Sequence, residues 1–148
     1  MEILNMQIPA EQKISRMLRQ IERERRSYMD AKLRPLGLQG DMYLFLLSVN
    51  RFPGTSQDQV AEQLRLDKSN TARVALKLEK AGCIVRTPVP ENRRQYAIHL
   101  TEKGKDAVSS ILAVLKEWQE AVLTGFSGEE EQVLIGYLAR MMASSKAL

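Results

Sequence analysis

The sequence predicts a mainly α fold carrying one small β-hairpin, and three observations support it. Apolar residues recur at helical spacing through both ends of the chain. In the middle, two short helical segments are joined by a tight turn. After them come two runs rich in β-branched and aromatic residues, on either side of a proline-punctuated loop.

From about Glu11 to Leu33, the residues Ile14, Met17, Leu18, Ile21, Tyr28 and Leu33 form a narrow apolar stripe among charges, which predicts a long amphipathic helix. Pro35 and Gly37 stop it. A second, strongly apolar helix is expected from roughly Gln39 to Val49, ended by Arg51-Phe52-Pro53-Gly54. Two short helices follow, about Ser56 to Leu64 and Asp67 to Ala81, with Arg65-Leu66 between them and Gly82 closing the second. Ile84 to Thr87 and Gln95 to Leu100 predict two strands, and Pro88 to Arg94 a long basic loop joining them. A helix from Thr101 to about Leu123 sets Val108, Ile111, Leu112, Leu115, Trp118 and Val122 on one side. Ser127 with Glu130 three residues later is a capping box, opening a last helix that groups Leu134, Tyr137, Leu138 and Met141. The chain shows no internal repeat and no low-complexity segment.

A chain of 148 residues can build one real core, and 44% hydrophobic with 27% charged residues is ordinary for a soluble globular protein. The net charge of +4 is unevenly placed. Residues 1–54 carry nine Lys/Arg against six Asp/Glu and residues 55–105 carry ten against six, whereas residues 106–148 carry three against six. A polyanion would therefore be drawn to the first two-thirds of the chain. Cys83 is the only cysteine, which excludes an internal disulfide and a thiolate zinc cluster. The start lacks a basic-then-apolar leader, and Met42 to Val49 is too short to span a bilayer, so a cytoplasmic location without membrane contact is expected.

The paired short helices carry the functional signal. Ser56 and Gln59 make a capping box on the first, and the carboxylate of Asp67 can accept from the first-turn amides of the second. Each cap is worth roughly 1 kcal/mol and fixes where the helix starts. Thr71, Val74, Ala75 and Leu78 share one face of the second helix, while Lys68, Ser69, Asn70, Arg73 and Lys77 lie largely on the other. These are phosphate- and base-edge-binding residue types. Arg93 and Arg94 are expected at the projecting hairpin loop, where an arginine can enter a minor groove. A basic helix or a basic loop alone is often only a solvated surface. The ordered series of capped helix, turn, capped basic helix, glycine, strand, basic loop and strand points to a winged helix-turn-helix that binds double-stranded DNA.

The runs Leu66 to Arg73, Leu78 to Arg86, Pro90 to Arg94 and Leu100 to Gly104 closely resemble the MarR family of regulators, as do Leu36 to Leu38 and Phe126 to Glu130. The resemblance spans nearly the whole chain. It implies a homodimeric transcriptional repressor on a pseudo-palindromic operator: an N-terminal dimerisation helix in residues 1–38, the winged helix-turn-helix in residues 39–100, and C-terminal dimerisation helices in residues 101–148. It implies that Asp67 to Ala81 is the recognition helix and Arg94 the wing arginine, with Ser56, Asn92 and Arg93 beside them in the DNA-binding set. It also implies release by a small aromatic or anionic effector, for which Trp118 and Tyr43 are candidates, although core packing is the more ordinary use of both. The sequence departs from the family at three places. Asn92 stands where an aspartate is usual and loses its charge-assisted grip, Ala72 replaces Thr or Ser, and Leu76 takes a commonly charged position.

The terminal stripes must also meet something, since burial is worth roughly 1.5–3 kcal/mol for each large apolar side chain. A three-helix bundle against the winged domain would serve, and so would a second copy of the chain. The resemblance favours the second copy. An enzyme finds less support: His99 is the only histidine and falls in a strand pattern, and Cys83 occupies an apolar core position. No catalytic, cofactor-binding or metal-binding set is expected. A winged-helix module that contacts proteins rather than DNA is the remaining alternative.

Overall fold

The computed structural model describes residues 7–148. Along the chain lie α1 (Ala10–Leu33), a single 3-10 turn (Arg34–Leu36), α2 (Asp41–Arg51), α3 (Gln57–Leu64), α4 (Lys68–Lys80), β1 (Ile84–Val89), β2 (Asn92–Leu100), α5 (Glu102–Val122) and α6 (Gly128–Lys146). The fold is the mainly helical one expected, with an antiparallel β1–β2 hairpin. The described residues form two units that divide after Leu115.

The first unit is built around α2. Its Tyr43, Phe45, Leu46 and Val49 are at most 1% exposed, and they share a core with Met29 and Leu33 from α1, Val74, Ala75 and Leu78 from α4, and Val108 and Ile111 from α5. Only the last part of α1 joins this core; Ile14, Leu18 and Ile21 stay exposed. Gly37 takes a left-handed backbone (φ 70°) and ends the 3-10 turn opened by Pro35. The following helix starts two residues later than the apolar pattern suggested. Gly40 has φ 66° and ψ −138°, which no helix can include, and its N–H is held by Asp30 Oδ1 at 2.8 Å instead. Arg25 fastens α1 to α2 by donating to Glu22 on its own helix and to Tyr43 Oη at 3.5 Å. The bond from Arg25 holds the Glu22 carboxyl below its ordinary range, against the opposing effect of partial burial.

The caps behave as the sequence indicated. Ser56 Oγ accepts from Gln59 N–H at 3.2 Å while Gln59 Oε1 accepts from Ser56 N–H at 2.9 Å, and Asp67 Oδ1 accepts from Asn70 N–H at 2.6 Å. Between these helices Arg65 adopts φ 52°, the left-handed conformation that ends α3 and turns the chain into α4.

The hairpin differs from expectation. Its strands extend to Val89 and from Asn92, so the long loop expected over Pro88 to Arg94 is instead a turn at residues 90–91. Pro88 pairs with Tyr96 within the ladder, and a register shift follows it before Val89 meets Asn92. β1 has no second neighbour, and an edge strand tolerates a residue without an N–H. Ile98 holds the hairpin to the helices: its N–H donates to Thr55 O at 2.8 Å, its carbonyl accepts from Gly54 N–H at 2.9 Å, and its side chain is fully buried.

In the second unit, Ser127 and Glu130 complete the expected capping box. Gln119 Nε2 donates to Glu131 Oε1 at 2.9 Å, linking the end of α5 to α6. No residue of α6 is buried in this chain. Val133, Ile135, Tyr137 and Met142 are 49–61% exposed.

Candidate nucleic-acid interface

Helix α4 divides as its spacing indicates. Thr71, Val74, Ala75 and Leu78 are buried, and Lys68, Ser69, Arg73 and Lys77 are exposed on the opposite side. The inner face anchors the helix, so the outer cations sit on a rigid element and not on a loop. Lys68 comes within 4.0 Å of Asp58, but both side chains are more than half exposed and the pair holds the ammonium only weakly.

Asn70 differs from its neighbours. It is half-buried, with its Nδ2 donating to Asp41 Oδ2 at 2.8 Å and its Oδ1 accepting from Arg73 Nη2 at 3.2 Å. Where Lys68 reaches Asp58 of α3 only across a loose, exposed ion pair, Asn70 is tied to α2 by a direct hydrogen bond. Ala72 is exposed, and Leu76 is 45% exposed on the same surface. Nothing in the structure explains Leu76.

On the hairpin, Arg94 is exposed and belongs to β2 rather than to a projecting loop. Arg93 lies in the same strand, and its side chain falls outside the described part of the structure. Asn92 Oδ1 accepts from the backbone N–H of Arg94 at 3.1 Å. The asparagine therefore shapes the turn and leaves the guanidinium of Arg94 to other partners. Arg94 and Ser56 border one concavity between the start of α3 and the hairpin, together with Gln57, Asp58, Arg86 and Tyr96. Ser56 is 9% exposed and its hydroxyl is engaged in the helix cap, so its place here is at the floor.

Arg86 is a functional candidate missed by the sequence reading. It pairs with Glu79 of α4, donates to Gln57 Oε1 of α3 at 3.5 Å, and lies over the Tyr96 ring at 5.8 Å. One guanidinium thus ties α4, α3 and the hairpin together. The signal was present in the period of two: Arg86 faces the same way as buried Ile84, and an arginine on an inward position needs partners.

Among the described residues no group of three or more His, Cys, Asp or Glu is placed to hold a metal ion, and no helix is long and apolar enough to cross a membrane. Cys83 is a free thiol, 3% exposed.

Two capped helices at a tight turn, followed by a hairpin hydrogen-bonded back to them, define a winged helix-turn-helix protein. The MarR family model matches residues 42–96, the segment from α2 to the middle of β2. YybA of Bacillus subtilis (strain 168), an uncharacterized HTH-type transcriptional regulator, is 30% identical over 128 residues, covering 86% of this chain and 85% of that protein. The chain belongs to the MarR family of transcriptional regulators. The crystal structure of the transcriptional regulator SlyA is similar, with a TM-score of 0.80 at 31% identity, covering 89% of this chain and 93% of that one. A MarR-family regulator from Listeria monocytogenes, crystallised with a 26mer DNA, shares the fold with a TM-score of 0.79 at 22% identity, covering 87% and 86% of the two chains.

Proposed function

We propose that this chain is a repressor that binds duplex DNA as a homodimer, with α4 in the major groove and the β1–β2 hairpin at the flanking minor groove. The observation that carries this reading is the exposed row Lys68, Ser69, Arg73 and Lys77 on a helix whose opposite face is locked into the core. Arginine offers paired donors to guanine, and lysine neutralises phosphate. Arg94, exposed beside the start of α3, serves the wing contact, with Arg93 next to it in sequence and Asn92 holding the turn.

Homodimerisation is supported by the terminal helices. Ile14 and Ile21 on α1 and Tyr137 and Met142 on α6 are 53–62% exposed in the single chain. Leaving such side chains in water forgoes roughly 1.5–3 kcal/mol apiece. Residues 1–38 and 101–148 accordingly act as dimerisation segments around a DNA-binding segment of residues 39–100. A two-fold dimer matches a pseudo-palindromic site with half-sites about one helical turn apart. Repression is the mode assigned because occupying a promoter needs no further contact surface. The chain has no enzymatic part in this reading, and a DNA partner places it in the cytoplasm. Release by a small aromatic or anionic effector rests on family membership alone; Tyr43, one candidate for that role, is 1% exposed and packed in the core.

Selection of bound sequences from random duplex DNA tests the reading. A two-fold symmetric consensus is expected. Recovery of no preferred sequence, with weak binding at every salt concentration, would instead favour a winged-helix module that contacts proteins.

A further inference from the structure

Asn70 is held at both ends of its carboxamide, by Asp41 Oδ2 at 2.8 Å and by Arg73 Nη2 at 3.2 Å. A carboxylate only accepts hydrogen bonds and a guanidinium only donates them. The two partners therefore dictate the same orientation of the amide. Flipping it would place oxygen against a carboxylate and NH2 against a guanidinium. The backbone of Asn70 is fixed as well, through the cap from Asp67 Oδ1. Asp41 is itself well placed: it is half-buried in the first turn of α2, directly after Gly40, whose N–H is held by Asp30. The result is a short series of side chains running from the body of the protein to the guanidinium of Arg73.

A carboxylate close to a DNA-facing helix works against affinity, because it repels phosphate. What Asp41 gains in return is direction. Arg73 is a long, exposed side chain, and the carbonyl of Asn70 is the acceptor that selects one of its conformers. We propose that Asp41 is a positioning residue for sequence discrimination: through Asn70 it aims Arg73 at a base edge, giving up general affinity for selectivity. This rests on the reading that α4 enters a DNA groove. Asp41 acts from α2 and needs no contact with DNA.

The test uses full-length protein on the sequence selected by wild type and on single-base variants of it. Arg73→Ala first identifies the base position that Arg73 discriminates. Asp41→Ala is then expected to flatten preference at that same position by about fivefold to tenfold, within the usual range for one lost base contact. Affinity for unrelated duplex should hold or rise. Asp41→Ala added to Arg73→Ala should cost nothing further at that position, the signature of residues acting in series. Should Asp41→Ala fail to fold, Asp41→Asn keeps the size and one acceptor but permits either amide orientation, and a smaller loss at the same position is expected. Equal weakening on all sequences, or an unchanged preference profile, would overturn the proposal while leaving DNA binding by α4 intact. If wild type itself selects no sequence, both fail together.

Discussion

Gly104 lies directly against the carbonyl of Cys83: a Cβ on Gly104 would stand 2.0 Å from that oxygen. The approach belongs to a set of contacts joining the end of α4 to the start of α5. Thr101 N–H donates to Cys83 O at 3.0 Å, Thr101 Oγ1 donates to Gly82 O and accepts from Gly104 N–H at 3.0 Å, and Lys103 Nζ donates to Ala81 O at 2.6 Å. The end of α4 is thereby fastened to the start of α5. Gly104→Ala should destabilise the protein by about 1–3 kcal/mol, since the obstacle is the Cys83 backbone and cannot rotate away. Chemical denaturation measures this, and an unchanged midpoint would show that the junction is loose.

The cap at Asp67 gives a prediction about α4 alone. Asp67→Ala removes the acceptor for Asn70 N–H and should cost about 1 kcal/mol of stability. DNA affinity should fall along with it, because the first turn carrying Lys68 and Ser69 frays. Circular dichroism melts alongside a binding titration test the pairing. Lost affinity at full stability would mean that Asp67 contacts DNA itself.

Removing cations from the two elements should have different consequences. Lys68→Ala should weaken binding to many sequences alike and reduce the salt slope by about 1, as expected for one phosphate contact. Arg94→Ala should weaken specific binding by roughly 1–3 kcal/mol with the melting temperature unchanged, since the side chain is exposed. Salt titrations of both variants separate the effects. A Lys68→Ala loss confined to one base position would place that lysine at a base instead.

The exposed apolar face of α6 predicts the assembly. Sedimentation of the 16.8 kDa chain should show a species of twice that mass. Introducing a charge with Tyr137→Asp or Leu138→Asp should shift it to the monomer and weaken operator binding, because the half-sites are then no longer held together. A monomer for the unaltered chain at micromolar concentration would remove the dimer from the account.

What was legible in the sequence was local. Ser56, Asp67 and Ser127 announced their helices because a cap acts over three residues, and the buried face of α4 followed from its spacing. The hairpin is longer than its two prolines suggest, because an edge strand with a register shift accommodates Pro88. The start of α2 was misplaced because the glycine backbone at residue 40, not hydrophobicity, decides it. Arg86 and Asp41 were missed for a different reason. Asp41 meets Asn70, and Arg86 meets Gln57 besides the nearer Glu79, across 29 residues, so the fold is needed to bring these groups together.

The measurement bearing most directly on the central claim is a salt-dependent titration of the full-length protein with duplex DNA carrying its selected sequence, compared with an unrelated duplex. The account predicts binding to both that weakens linearly in log–log form as salt rises, with the selected duplex held at least about a thousandfold more tightly at physiological salt. Affinities that are equal for the two duplexes, or insensitive to salt, would contradict it.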